Sequence, residues 1–187
     1  KLDLDMANLK QLELVFSRDA EALGRITASG PYDIEAQAAD LTIEIKYIGK
    51  SVLNLAAASE GVRVGDTTVN ATIHADVQNG GKTVDVESVI KVAALSVIQD
   101  GVATPSMDVD IDCKGKLVQN GEAKSLGLSK FQVSGVQDGK QIIFAGIDRP
   151  LSVPLSEKIE TLPDGALTVK VTDFDLGPWA PLSKEMV

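Results

Sequence analysis

Residues 106–114 (SMDVDIDCK) alternate apolar and charged side chains without a slip. Met107, Val109, Ile111 and Cys113 fall on one side of an extended chain, and Asp108, Asp110, Asp112 and Lys114 on the other. Side chains repeat every two residues along a β-strand, whereas no amphipathic helix puts four consecutive odd positions on one face. The stretch is therefore a half-buried strand. It also holds the only cysteine and the densest acid cluster of the chain. That leaves three uses for it: a metal loop, a thiol site, or a plain strand whose apolar face needs a cover.

The same alternation returns along most of the chain. Leu2, Leu4 and Met6 open a short strand, and Asn8 is placed to cap a brief helical turn through Leu9, Leu12, Val15 and Phe16. Extended structure resumes at residues 24–28 and is broken by Gly30-Pro31. From Tyr32 it returns, with a one-residue phase change after Ala39-Asp40 that predicts a bulge or sharp turn. Leu41, Ile43, Ile45 and Tyr47 then share a face. Residues 48–51 read as a hairpin turn and 52–58 as its return strand. Val69, Ala71, Ile73, Ala75 and Val77 alternate against Asn70, Thr72, His74 and Asp76. The run 89–95 is apolar on both sides, a strand with a short helix as its competitor. The opening strand ends near Lys114-Gly115. Leu126, Leu128, Phe131, Val133 and Val136 mark the next, and residues 141–145 another. Arg149-Pro150 to Pro154 is extended and at a sheet edge, since proline cannot donate to a ladder. Leu167, Val169 and Val171 form the last strand.

Turns near Gly61, Gly80, Gly101, Gly121 and Gly139 recur at intervals of roughly 20 residues, regular for an antiparallel meander. Strands filling such intervals are far longer than the usual five or six residues. The sequence thus predicts an all-β fold of about ten strands and little helix: a long antiparallel, strongly twisted or curved sheet, a β-groove, or otherwise a β-sandwich. Its 187 residues suit one domain, 1–187. The chain opens at Lys1 with no leader, and is read as a piece of a longer protein.

Charge and composition exclude several functions. A net charge of −9 repels nucleic acid. Aromatics at 4 % and a single His supply neither sugar-stacking platforms nor imidazole chemistry. No run reaches the roughly 18 apolar residues of a membrane-spanning helix.

Asp108, Asp110 and Asp112 lack the Gly and bidentate Glu of a calcium loop, having Cys113 and Gln119 there. On a strand they stand about 7 Å apart, too far for one ion, so no metal is expected. Cys113 lies on the apolar side and His74 on the polar side of its strand, so the two do not make a nucleophile pair. Phosphate-binding glycine loops are missing, so no cofactor is expected. Glu44, Glu87 and Asp148 are scattered acids, not a recognisable glycosidase pair. Trp179 reads as an anchor at one end of the apolar layer. No residue stands out as catalytic. What remains is the apolar face: Ile43, Ile45, Val69, Ala71, Ile73, Met107, Val109, Ile111, Val169 and Val171. It is either the core of a sandwich, as in a structural or adhesive extracellular module, or a hydrophobic trough able to hold aliphatic chains.

Residues 167–182 (LTVKVTDFDLGPWAPL) and 2–12 (LDLDMANLKQL) carry an alternating strand into an Asp-Leu step, with a small-residue stretch at 24–30. With the long alternating strands between them, these resemble the AsmA-like proteins of Gram-negative envelopes. The resemblance implies a repeating β-groove that binds phospholipid acyl chains without enzymatic chemistry. It also implies a periplasmic setting, an inner-membrane tether outside residues 1–187, and a part in lipid transport and outer-membrane biogenesis.

Overall fold

Ten long or edge strands carry the architecture, and their lengths follow from the alternation just described. The structure, a computed structural model, describes residues 7–58, 63–99, 101–155, 167–175 and 177. In chain order the elements are β1 (Ala7–Arg18), β2 (Glu21–Asp33), β3 (Ala38–Gly49), α1 (Lys50–Ala56), β4 (Arg63–Val64) and β5 (Thr68–Gln78). They continue with β6 (Thr83–Leu95), β7 (Val97–Gln99), β8 (Val102–Ala103), β9 (Met107–Asn120) and β10 (Ala123–Gln137). The last are β11 (Lys140–Ile147), β12 (Leu151–Pro154) and β13 (Leu167–Val171). Leu2, Leu4, Met6, Gly61 and Trp179 lie outside the described residues.

One antiparallel sheet runs β1-β2-β3-β5-β6-β9-β10-β11-β13, and β12 pairs with β10. The sheet is open, with β1 and β13 at the ends of this path, and is not a closed barrel. β11 and β12 lie end to end along β10, facing residues 132–137 and 125–128. Pro150 falls between them, and β12 has no second partner strand among the described residues, as the prolines predict. The small strands β4, β7 and β8 form a second sheet in that order. They precede β5, follow β6 and precede β9, so this sheet continues three central strands past their kinks.

Several sequence expectations are corrected. Residues 8–16 are strand, not a helical turn. A bulge between Leu9 and Leu12 inserts one residue and returns Leu12 to the face of Leu9. That insertion turns a strand's alternation into the three-residue spacing that mimics a helix. β2 passes straight through Gly30-Pro31. Gly30 sits at φ 140°, and a Cβ there would lie 1.9 Å from the Asp40 carbonyl oxygen, so only glycine lets β2 and β3 approach. Of the two readings of the phase change near Ala39, the sharp turn holds, over residues 34–37. Residues 50–56 are helix rather than a return strand. Both backbone groups of Val64 are taken by the Asn54 side chain, which ties α1 to β4. Lys50 also pairs with Asp66, and its ammonium holds that carboxyl below the ordinary range. Residues 89–95 are strand, as expected, whereas the opening strand runs on past Lys114-Gly115 to Asn120.

Register shifts fall in four strand pairs near one end of the sheet: at Phe16/Ser17, Ile45/Ile48, Val92/Leu95 and Gly135/Val136. Each bends its strand. Tyr47 and Ala94 take up the extra residue at φ 57° and 51°. Their N–H groups, freed from the ladder, donate to Asn70 Oδ1 (2.9 Å) and Asp108 Oδ1 (2.8 Å). Just beyond, Thr67 is 2 % exposed. Its hydroxyl donates to Ala94 O and accepts from Ser96 N. Ile48, Ala71, Met107 and Ile142, the buried apolar residues among those described, all stand at or beside this line.

Candidate functional site

Residues paired directly across antiparallel strands point to the same side, so the register defines two faces. On one, a row of directly opposed residues crosses nine strands: Leu14, Ile26, Ile45, Ala71, Ile90, Ile111, Val133, Ala145 and Val169. Every member is aliphatic. Eight strand spacings of about 4.8 Å make the row about 38 Å long. That exceeds the roughly 30 Å thickness of a bilayer's hydrocarbon. A second row runs beside it through Leu12, Ala28, Ile43, Ile73, Ser88, Cys113 and Phe131 to Ile147 and Leu167. A third holds Val69, Val92, Val109, Gly135, Ile143 and Val171. No charged residue occurs in any of the three.

All ten residues singled out from the sequence lie on this face. Ile45, Ala71, Ile111 and Val169 belong to the first row, Ile43 and Ile73 to the second, and Val69, Val109 and Val171 to the third. Met107 faces Leu95 at the bulged end, where it is buried. Sequence reasoning missed Ile26, Ile90, Val133 and Phe131. Counting by twos from Val84 finds Ile90; Ser88 interrupts that series and hides it.

What covers this face decides what it can do. Among the described residues, every substantial contact between strands joins hydrogen-bonded neighbours, and no second sheet lies across the rows. Most row residues are half-buried, shielded by their neighbours in the sheet rather than by another layer. Exposure rises toward the ends of the rows: Leu12 and Leu14 in β1 are 62 % and 54 % exposed, and Leu167, Val169 and Val171 in β13 are 59–63 %. An open apolar surface of this kind takes aliphatic ligands by area rather than by polar contacts.

The opposite face is polar and laced by cross-strand pairs. Lys114 meets Glu87 at 3.1 Å, Lys116 meets Asp85 at 3.0 Å, and Lys130 pairs with Asp112. Glu44 accepts from Lys46 at 2.9 Å. His74 Nε2 lies 3.2 Å from Asp40 Oδ1, on the side of its sheet opposite to Cys113. Asp108, Asp110 and Asp112 line this face, where Asp108 holds a bulge and Asp112 an ion pair. Among the described residues no group of three or more His, Cys, Asp or Glu side chains is arranged to hold a metal ion. Asp148 accepts from the Thr168 hydroxyl at 2.6 Å, away from Glu44 and Glu87 in the sheet order. No helix among the described residues is long and apolar enough to cross a membrane. Comparison with family models, with curated proteins and with solved structures returned no match to the chain.

Proposed function

We propose that the apolar face holds the acyl chains of lipids. On this reading the protein is a non-enzymatic groove segment of an AsmA-like envelope protein. The observation that carries it is the charge-free surface, uncovered among the described residues, whose first, all-aliphatic row keeps register across nine strands. Each methylene removed from water against such a row contributes about 0.8 kcal/mol. The contribution is spread evenly along an all-aliphatic row, so a chain can slide without a deep trap, and headgroups stay in water. That behaviour suits carriage between membranes better than tight storage. The resemblance supplies the setting: the periplasm, an inner-membrane-tethered parent, and traffic of phospholipid toward the outer membrane. The reading needs no catalytic residue and no cofactor.

Native mass spectrometry of the protein purified from a bacterial host, followed by lipid extraction, tests it. Co-purifying phospholipid, and uptake of a fluorescent phospholipid by the delipidated protein, are the expected results. Protein that is lipid-free as isolated and takes up no lipid overturns the reading.

A further inference from the structure

The centre of the apolar face is not hydrocarbon throughout. The row from Leu12 to Leu167 passes Ile43 and Ile73 and then meets Ser88, which faces Cys113 across the β6–β9 pair. β6 is the fifth of the nine strands in the sheet path, so Ser88 stands at the midpoint of its row. Four strand spacings, about 19 Å of sheet, extend on either side. Along β6 its same-face neighbours are Val86 and Ile90, both aliphatic. The Ser88 side chain is half-buried, and its hydroxyl has no hydrogen-bond partner among the described residues. The thiol of Cys113 is only a weak donor and acceptor, and does not substitute for one.

Covering that hydroxyl with pure hydrocarbon leaves it unsatisfied, a penalty that valine or alanine would not carry. A ligand with an acceptor at this point removes the penalty. We propose that Ser88 is the polar contact of the lipid site, its Oγ–H donating to the ester carbonyl of an acyl lipid. The ester linkage then rests at the middle of the sheet and the hydrocarbon lies along the rows. Half of a bilayer's hydrocarbon is about 15 Å deep, so a 19 Å arm takes a membrane acyl chain in full. The ligand class is thereby narrowed to acyl esters such as diacylglycerophospholipids. Ether lipids and free alkanes, which offer no carbonyl, fall outside it. This inference rests on the lipid-holding reading above, and the experiment separates the two.

Delipidated protein is offered an equimolar mixture of diacyl and dialkyl phosphatidylcholine of equal chain length, and the bound species are counted by native mass spectrometry. The wild-type protein is expected to retain the ester form about threefold to tenfold over the ether form, the worth of one hydrogen bond. Ser88→Ala should erase that preference, with ether-lipid occupancy rising because no hydroxyl is left unsatisfied beneath the chain, and Ser88→Thr, which keeps a hydroxyl, should preserve it. A circular-dichroism melt of each variant establishes that the sheet is intact. Equal uptake of both lipids by the wild-type protein, or an undiminished preference in Ser88→Ala, overturns the role of Ser88. Binding of neither lipid overturns the lipid reading itself.

Discussion

Along β9, neighbouring residues meet two different kinds of surroundings. The even-numbered side chains make one-to-one polar contacts: Asp108 with the Ala94 N–H, Asp112 with Lys130, Lys114 with Glu87 and Lys116 with Asp85. Each contact is directional and joins a particular residue of β6 or β10. A slip of one residue would break all of them at once. The odd-numbered side chains Val109, Ile111 and Leu117 meet apolar or glycine positions on both neighbouring strands, and one aliphatic neighbour serves as well as another. The comparison separates two tasks that a sandwich assigns to its core alone. Here the polar face specifies pairing, and the apolar face is left without specific partners, free for something that does not read sequence.

The sharpest way to break this comparison is a charge on the apolar side. Ile111→Asp places a carboxylate in the middle of an all-aliphatic row. A charge buried under hydrocarbon costs far more than the contacts it replaces, so bound lipid should fall by tenfold or more. Because no second sheet among the described residues packs over Ile111, the new carboxylate keeps access to water in the lipid-free protein. The expected loss of stability is then only about 1–3 kcal/mol, with a cooperative melt retained. Unfolding of Ile111→Asp would mean that the face is a closed core, and the division of labour between faces would fail.

A smaller effect is expected on the polar side, at Asp108. Asp108→Ala strips the Ala94 N–H of its acceptor at the bulge, a loss of about 1–2 kcal/mol. A thermal melt should show a drop of several degrees, and lipid retention should stay at the wild-type level. Asp108→Asn keeps an amide oxygen in place and should recover most of the loss. Lipid loss in Asp108→Ala without a change in melting would show that the two faces are coupled after all.

This division also marks how far the sequence could be read. Strict alternation made β5, β9 and β13 legible, along with the faces of their residues, because period two has one structural meaning. Turns such as Asp138-Gly139 were equally plain: the two residues adopt φ 51° and 74°, which that dipeptide favours. Where an extra residue enters a strand, the signal inverts. The bulge between Leu9 and Leu12 gave β1 a helical spacing. The slip between Leu128 and Lys130 keeps Leu126, Leu128, Phe131 and Val133 on one face despite their broken alternation. α1 was hidden for the opposite reason: at seven residues it is too short to express a helical period. Ser88 was missed because a polar residue in an apolar series reads as an interruption, whereas its place in the row depends on pairings 15 and 25 residues away in sequence. The sequence put Asp108 on the polar side of its strand without a partner. Its actual partner, a backbone N–H released by a bulge, leaves no trace in composition.

The finest test of the comparison concerns the exposed ion pairs, where pairing specificity and stability come apart. Lys116→Ala removes the partner of Asp85 from a site where the lysine side chain is 53 % exposed. Water and salt screen such a pair, and its loss should cost only about 0.2–1 kcal/mol. The cost should shrink further when the melt is repeated in about 1 M salt, where the screening length is roughly 3 Å. A register function is collective: one missing rung among Lys114–Glu87, Lys116–Asp85 and Lys130–Asp112 leaves the others to hold β9 in place. Replacing Lys114, Lys116 and Lys130 together should therefore broaden the amide resonances of β9, as alternative pairings become accessible. That broadening should exceed what the three single variants show when summed. Strictly additive behaviour would assign register to the bulge contacts of Asp108 and Asn70 instead, and narrow the polar face's specifying role to those two side chains.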